Sequence, residues 1–596
     1  MYQLPQFGAF LSQRHYLPLF LTYLMSFFII GCSGDNSKQK FDETPVENTV
    51  DVKDSEANIS VNQVGYLTDG NKRAIVPAVS TGKFVIKRVD DHSVRFEGTL
   101  SEPVSWALSD DGFVTYADFS DFTEQGEFYL EVPGLSPSWP FTVGEHVYHE
   151  PHRAALKSFY FNRAGIALTE KYAGRWQRPA GHPDSQVSVH ASATTPALDA
   201  LAVLSSEKGW YDAGDYGKYI VNSGIATYTL LAAYEHFPTY YQTVNVNIPE
   251  SGNGTADLLD EIRWNLDWMA SMQRHDGAVF HKLTTLAWAG IEMPHEDRAE
   301  RYVIGVSTAA TLDFAATLAM ASRVYSHLEP EQARQWLQQA QNAWQWAVQN
   351  PSVQYTQPED VQSGEYGDEQ FADEFFWAAA ELFIATEDDG YLNYITNSDL
   401  SIGVPGWANV ETLGLISLLH RGAGKLPAPV MTKLQDELIS LADDISEQMK
   451  STPYNVPMQN ADFVWGSNSV LLNKAFVLLN AYGLTGSAKY KQGVYDSISY
   501  VFGMNPTGYS FVTGYGHLTP MAPHHRISAS DGIEAPVPGM LVGGPHAGWQ
   551  DNCQYPSSKP ANSYLDDWCS FSTNEIAINW NAPLVYVLGA VNAMSQ

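Results

Sequence analysis

Between Ile59 and about Val143, apolar and polar side chains alternate in short runs. Examples are Arg73–Val76, Lys83–Val89, Val114–Phe119 and Glu127–Val132, with Gly70, Gly82, Gly98, Gly112 and Gly126 between them. Alternation with a period of two puts one face of a strand in the core and the other in water. Several such strands at this spacing predict a small antiparallel sandwich of immunoglobulin-like type, over 58–145. At His149 the pattern changes. Helix-compatible segments follow at 150–172, 218–236, 257–274, 305–327, 330–349, 371–387, 427–449, 466–482 and 574–594, and strand-like runs between them are scarce. Helices joined by long loops rich in Gly, Pro and aromatics predict an all-α toroid over 149–596 whose loops on one face build a cleft. No segment recurs at a fixed period, so a solenoid is not supported.

The first residues read as an address. Leu17 to Gly31 is one apolar run of 15 residues after Arg14 and His15, the length of a signal-peptide core and short for a membrane span. The run ends in Ile29-Ile30-Gly31-Cys32, which resembles the bacterial lipobox, where cleavage leaves the cysteine to be acylated. Residues 1–31 are then a lipoprotein signal peptide, Cys32 a lipid anchor, and 32–57 a flexible acidic tether. An ordinary cleaved signal with an incidental cysteine is the alternative. Ser33 after the cysteine favours the outer membrane or cell surface, and no later run of 18 apolar residues exists to span a membrane.

Charge narrows the partners. Across 596 residues, 34 Lys+Arg face 67 Asp+Glu, a net charge of −33, which excludes a nucleic-acid partner and argues against polyanionic substrates. Aromatics make up 13% of the chain, enough to supply flat platforms for sugar faces as well as core.

Two segments carry candidate chemistry. Gly209-Trp-Tyr-Asp-Ala-Gly-Asp-Tyr-Gly-Lys218 sets Asp212 and Asp215 three residues apart among glycines and aromatics, just before a helix. Two acids so placed can hold one water between them, although on spacing alone an acidic N-cap region is the stronger reading. Near the end, Glu575 enters the last apolar helix, where a lone Glu is commonly a capping residue.

Together these segments resemble glycoside hydrolase family 9, the inverting cellulases, from about residue 58 to the end. Tyr564, Asp566, Phe571, Glu575, Ala577, Asn581 and Ala582 meet every position of the family's C-terminal signature. Asp212 to Asp215 match its DAGD element, and Pro523-His-His-Arg526 looks like its substrate-binding His-x-Arg. Val61-Asn-Gln-Val-Gly-Tyr66 looks like the start of the immunoglobulin-like module that precedes the (α/α)6 barrel in one branch. The resemblance implies Asp215 as general base, Asp212 as its partner in orienting the water, and Glu575 as general acid. It also implies that burial and the nearby Asp566 raise the Glu575 carboxyl, and that His524 and Arg526 donate hydrogen bonds to sugar hydroxyls. Trp465 resembles the family's stacking tryptophan, with core packing as its rival. Tyr216 and Trp210 flank the base as candidate cleft walls, and Trp288 and Trp407 are read evenly as platform or packing. Asp566 joins the substrate-binding set.

The acidic cluster Asp368–Glu374 resembles a family calcium site, with Asp373 and Glu374 as ligands and a solvated helix N-terminus as the alternative. Asp260 and Glu261 read as structural. Some relatives hold zinc through a cysteine in each of two segments that here carry Ala164 and Gly181. His182 alone does not make a site, so no zinc is expected. Cys553 and Cys569 allow a disulfide in the loop leading to Glu575, without fixing the pairing. Leu518 stands where the family's signature favours Asn, Lys or Arg, which loosens the assignment of the neighbouring sugar ring. The expectation is a monomeric endoglucanase acting on cellulose or related β-glucans. The alternatives are an exo-acting enzyme on cello- or glucosamine oligosaccharides, its groove closed by the insertions 174–208 and 282–302, and a catalytically idle glycan-binding lipoprotein.

Overall fold

A computed structural model describes residues 59–78, 82–399 and 402–595. The signal segment 1–31, Cys32 and the tether 32–57 lie outside the described residues. No helix among the described residues is long and apolar enough to cross a membrane.

The alternating region folds as a sandwich of two sheets. Its strands are β1 (Gly65–Tyr66), β2 (Arg73–Pro77), β3 (Lys83–Arg88), β4 (Val94–Thr99), β5 (Val104–Ser105), β6 (Phe113–Asp118), β7 (Gly126–Glu131) and β8 (Phe141–Val143). One sheet runs β1-β8-β7-β3-β4 and the other β2-β6-β5; all neighbours are antiparallel except β1 and β8. The register Ile86↔Leu130 and Ala74↔Ala117 turns one side chain of each alternating pair inward, onto a core of Phe84, Phe119, Phe128 and Phe141.

Beyond it, the described helices of nine or more residues are α1 (His149–Phe161), α2 (Ile220–His236), α3 (Asp257–Ser271), α4 (Thr308–Val324), α5 (Pro330–Gln349), α6 (Ala372–Thr386), α7 (Asp389–Asn397), α8 (Glu411–Arg421), α9 (Ala428–Met449), α10 (Ser467–Thr485), α11 (Ala488–Val501) and α12 (Ile578–Met594). The even-numbered helices form an inner ring. In it α2 packs on α4, α4 on α6, α6 on α8, α10 on α12 and α12 back on α2, while His420 of α8 reaches Asn480 of α10 at 2.9 Å. Inner helices such as α2, α4 and α12 are apolar nearly all round because neighbours cover every face, whereas the outer α5 and α9 bury only a stripe. This is the predicted toroid, with six inner and six outer helices among the described residues.

Two expectations are corrected here. The helical region contains a sheet, β10-β9-β13-β12-β11, built from β9 (Val187–Val189), β10 (Val203–Leu204), β11 (Lys218–Tyr219), β12 (Phe280–Thr284) and β13 (Tyr302–Val306). And α12 starts at Ile578, because Ala577 is extended (φ −151°), so Glu575 precedes the helix instead of entering it.

The sandwich docks on the toroid through named contacts. Gln63 donates to the Gly508 carbonyl (2.6 Å) and accepts from the backbone N–H groups of His517 and Leu518 (both 2.8 Å). Trp106 is buried against Tyr454 and Phe463, and the Ala561 N–H donates to the Leu108 carbonyl (3.0 Å).

Candidate active site

Asp212 and Asp215 lie on a tight loop before α2. The Asp212 N–H donates to the Gly217 carbonyl (3.0 Å), and the Ile578 N–H at the start of α12 donates to the Asp212 carbonyl (2.8 Å). The loop needs its glycines for space. A β-carbon on Gly214 would sit 2.2 Å from the His524 carbonyl oxygen, and one on Gly217 would sit 2.6 Å from Asp215 Oδ2. Neither aspartate caps α2, whose N-cap is Tyr219, so the capping alternative falls.

Each aspartate is held by donors. Asp215 Oδ2 accepts from the Gly217 N–H (2.9 Å) and the Tyr219 hydroxyl (3.0 Å). Asp212 accepts from Asn222 Nδ2 (2.7 Å) on one oxygen and from the Tyr366 hydroxyl (2.7 Å) on the other. Burial, then the neighbouring charge of Asp215, pushes the Asp212 carboxyl up to about 8, with Asn222 and Tyr366 pulling against it. Burial pushes both phenols far up, so they stay protonated and donate. The two acids are therefore unequal. Asp212 tends to keep a proton, and Asp215 presents an oxygen set with donors and no acceptor, the surroundings of a working base.

Glu575 arrives from the far end of the chain on an extended segment. It bridges to His524 in parallel, while Ile576 bridges to Val542, so the segment is clamped between two loops. Its Oε1 accepts from the Gly214 N–H at 3.3 Å, which ties the Glu575 segment to the Asp212–Asp215 loop. Burial, then the charge of Asp215, holds the Glu575 carboxyl well above its ordinary range; the Gly214 N–H and Arg526 act against this, and Asp212 adds to it. The expected contribution of Asp566 is corrected. Its carboxylate accepts from the N–H groups of Met521 (2.7 Å) and Ala522 (2.9 Å) and from Asn574 Nδ2 (3.0 Å), so it braces the loop next to the acid.

His524 Nδ1 is 2.7 Å from the Trp568 carbonyl and its ring stacks on Trp568, centroids 4.2 Å apart. Burial lowers its pKa, so the neutral ring donates through Nδ1 and leaves Nε2 as an acceptor, the reverse of the expected donor role. Arg526 is buried and binds the carbonyls of Gly214 (2.8 Å) and Ala289 (3.0 Å), with Trp288 lying over it. Trp465 is 42% exposed and touches Phe571, and Trp288 is 46% exposed, so each offers a platform. Tyr216 and Trp210 do not. Tyr216 is buried between Tyr211 and His182 with its hydroxyl on the Glu292 carbonyl, and Trp210 is a core residue bound to Glu261. Trp407 stands edge-on to Tyr366. Tyr219, Asn222, Tyr366 and Trp568 were not predicted. The first two sit just after the DAGD element and were legible as polar groups beside it; Tyr366, 154 residues from Asp212, carried no signal.

The acidic cluster is larger than its sequence run. Asp313 of α4 joins Asp368, Asp373 and Glu374, all buried, and both Asp313 oxygens, Asp368 Oδ2 and Glu374 Oε2 have no hydrogen-bond partner. Burial and mutual repulsion push Asp313 and Glu374 far up. No three such side chains among the described residues close on one point. The unpartnered carboxylate oxygens nonetheless fit a hard, oxygen-seeking cation such as Ca²⁺. His182 is engaged at both nitrogens, by Tyr211 (2.9 Å) and Asp297 (3.1 Å). Cys553 and Cys569 form a disulfide.

Comparison with known proteins agrees with this geometry. Residues 148–588 match the model of glycosyl hydrolase family 9, and residues 54–136 that of the cellulase N-terminal ig-like domain. The chain is 40% identical to a xyloglucan-specific endo-beta-1,4-glucanase of Bacteroides ovatus, over 90% of this chain and 94% of that one. It is 35% identical to a cellulose 1,4-beta-cellobiosidase of Acetivibrio thermocellus, over 89% of this chain and 66% of that one. A solved Bacteroides ovatus GH9 structure superposes with a TM-score of 0.85 at 39% identity, covering 90% of this chain and 99% of that one. With its sandwich, its helical toroid and the matches above, the chain belongs to glycosyl hydrolase family 9.

Proposed function

We propose that this chain is an inverting endo-β-1,4-glucanase, with Asp215 as general base and Glu575 as general acid. The observation that carries this reading is the Gly214 N–H bond to Glu575, which places a carboxyl held protonated by its surroundings against the loop of a donor-bound carboxylate. Asp215 takes a proton from a water that attacks the anomeric carbon, while Glu575 gives its proton to the departing glycosidic oxygen, so the configuration inverts. Asp212 acts through Asp215 and the water. Trp465 and Trp288 supply exposed stacking faces for sugar rings.

The named activity of the Bacteroides ovatus relative adds xyloglucan to cellulose and mixed-linkage glucans as substrates to test. A second reading, exo action, is favoured by one observation. The loops 174–208 and 285–301 brace each other beside the Asp215 loop through Asp184–Arg301 (2.8 Å) and His182–Asp297 (3.1 Å), which holds two long segments together where a groove could be narrowed. A product time course on carboxymethyl cellulose, xyloglucan and a ladder of cello- and glucosamine oligosaccharides decides. A rapid viscosity fall with mixed products supports endo action, and stepwise release of one small sugar replaces it with the exo reading.

The same proposal holds the enzyme as a monomer, lipid-anchored through Cys32 at the outer membrane or cell surface, with Ca²⁺ bound by Asp373 and Glu374. The ion's part is structural, neutralising buried carboxylates close to the Tyr366 segment. A Cys32→Ser protein that still fractionates with membranes contradicts the anchor.

A further inference from the structure

Behind the base lies a buried cation that the hydrolytic roles do not use. Lys282, on β12, is fully buried, and among the described residues no carboxylate lies within ion-pair distance of it. Its ammonium donates to the Gly364 carbonyl (2.7 Å), to Gln357 Oε1 (2.9 Å) and, at 3.4 Å, to the Ser363 carbonyl, and it stands over the rings of Tyr219 and Tyr355.

The segment it holds, 363–366, reaches both aspartates. The Gly364 N–H donates to the Tyr219 hydroxyl (3.1 Å), which donates onward to Asp215 Oδ2 (3.0 Å). Two residues later, the Tyr366 hydroxyl donates to Asp212 Oδ2 from a backbone in the left-handed region (φ 47°), a conformation a tyrosine keeps only where its surroundings impose it. Between them the Glu365 carbonyl lies 2.8 Å from His281 Nε2, and Ser363 Oγ lies 2.8 Å from Thr284 Oγ1. Strand β12 thus holds Ser363, Gly364 and Glu365 of a strap that reaches Asp215 through Tyr219 and Asp212 through Tyr366.

We propose that Lys282 is a positioning residue for the general base, fixing the 363–366 strap that bonds the Tyr219 hydroxyl on Asp215 and carries the Tyr366 hydroxyl to Asp212, and presenting a buried positive charge beside this pair. The reason for a cation lies in the energetics. Removing an ammonium from water is costly even after relaxation, and here only neutral acceptors take its hydrogen bonds, with no carboxylate among the described residues paired to it. A neutral amide would satisfy the same carbonyls. What only the ammonium adds is its field at Asp215. The groups facing it are Asp215 and Glu365, which favour its charge, the phenols of Tyr219 and Tyr355, and the neighbouring imidazole of His281, which burial holds neutral. Burial pushes Lys282 down to about 7, with Asp215 and Glu365 opposing.

The inference rests on the reading of Asp215 as base, and the test separates the two. Full-length Lys282→Met, Lys282→Gln and Tyr219→Phe are compared with wild type and Asp215→Asn in kcat, KM, the pH profile of kcat/KM and thermal melting. The substrate is whichever soluble β-glucan the wild type cuts. Lys282→Gln keeps donors for the strap and lacks the charge; kcat is expected to fall by about tenfold with KM within about twofold, and the acidic limb of kcat/KM to move towards neutral pH. Tyr219→Phe leaves the ammonium in place and is expected to lower kcat in the same way, which keeps the inference testable if both lysine variants fail to fold. A structural role alone would lower the melting temperature and leave the acidic limb in place. Wild-type kcat and an unmoved acidic limb in Lys282→Gln, or wild-type kcat in Tyr219→Phe, overturn the proposal. An active Asp215→Asn overturns the base assignment itself.

Discussion

The two sides of the cleft are built differently. The base side is part of the toroid: its loop runs straight into inner helix α2, is tied to the start of α12, and receives Tyr219 from the five-stranded sheet. The acid side hangs on long loops. Glu575 sits between segments at 524 and 542–544, which are held by Asp566, by the Asp551 carboxylate accepting from Ser572 and Tyr555, by the Cys553–Cys569 disulfide, and by the sandwich pressing on residues 559–562. Precision comes from secondary structure on one side and from cross-links on the other. The aspartate pair on the base side must hold a water and two tyrosine hydroxyls, Tyr219 on Asp215 and Tyr366 on Asp212, in a fixed geometry, which suits an element that cannot move without the barrel. The acid must approach a glycosidic oxygen on a polymer, which suits loops that line an open groove.

The largest effects expected are those of the two reacting carboxyls. Asp215→Asn and Glu575→Gln should each lower kcat on β-glucan by about 10²–10⁴-fold with the fold intact, measured by reducing-sugar release and circular dichroism. Next comes the cation proposed behind the base side. Removing Ca²⁺ with a chelator should leave Asp313, Asp368, Asp373 and Glu374 repelling one another, and the melting temperature should fall by several degrees and recover with Ca²⁺ but not Mg²⁺. Trp106→Ala should act on the acid side alone. Opening the seam beneath Tyr454 and Phe463 costs about 3–5 kcal/mol, and it frees the Phe463–Trp465 loop, so KM should rise by more than kcat falls.

A smaller effect follows from titration. The folded Asp212 carboxyl sits at about 8 against an ordinary 3.8, so the folded state binds the proton more tightly than the unfolded chain. Its contribution to stability is therefore complete below 3.8 and is lost as pH rises through about 8. Asp212→Asn, which cannot ionise, should melt higher than wild type at pH 9, and the difference should close at pH 4. The smallest change is expected from Cys553→Ser, about 2–4 kcal/mol in stability with a modest rise in KM, because Trp568 and its grip on His524 adjoin Cys569.

Much of this contrast was legible in the sequence, and the unread part has physical causes. The inner helices α2, α4, α10 and α12 announce themselves through long apolar runs. Helices α8 and α11 do not, because Thr412, Ser417, Ser497 and Ser499 are buried polar residues that blur the period. The sheet was missed because β12, Phe280–Thr284, is buried at every position and carries Lys282 and His281 in the core, so it shows no alternation. The DAGD element and Glu575 were readable as motifs; what holds them was not. Lys282 meets Tyr219 across a strand register and Tyr366 reaches Asp212 from a loop 154 residues away, pairings that the local pattern does not reveal. Tyr216 misled because an aromatic beside a catalytic acid reads as a cleft wall, whereas here it packs behind the acid as support.

The division of labour between the two sides is tested most directly by a leaving group that needs no acid. Rates of Asp215→Asn and Glu575→Gln would be measured on a dinitrophenyl β-cello-oligoside, whose phenolate departs unprotonated, and on the natural glucan. With Glu575 as acid and Asp215 as base, Glu575→Gln regains most of the wild-type rate on the activated substrate while Asp215→Asn remains inactive on both. Recovery of Asp215→Asn, or an equal deficit of Glu575→Gln on both substrates, would contradict the assignment.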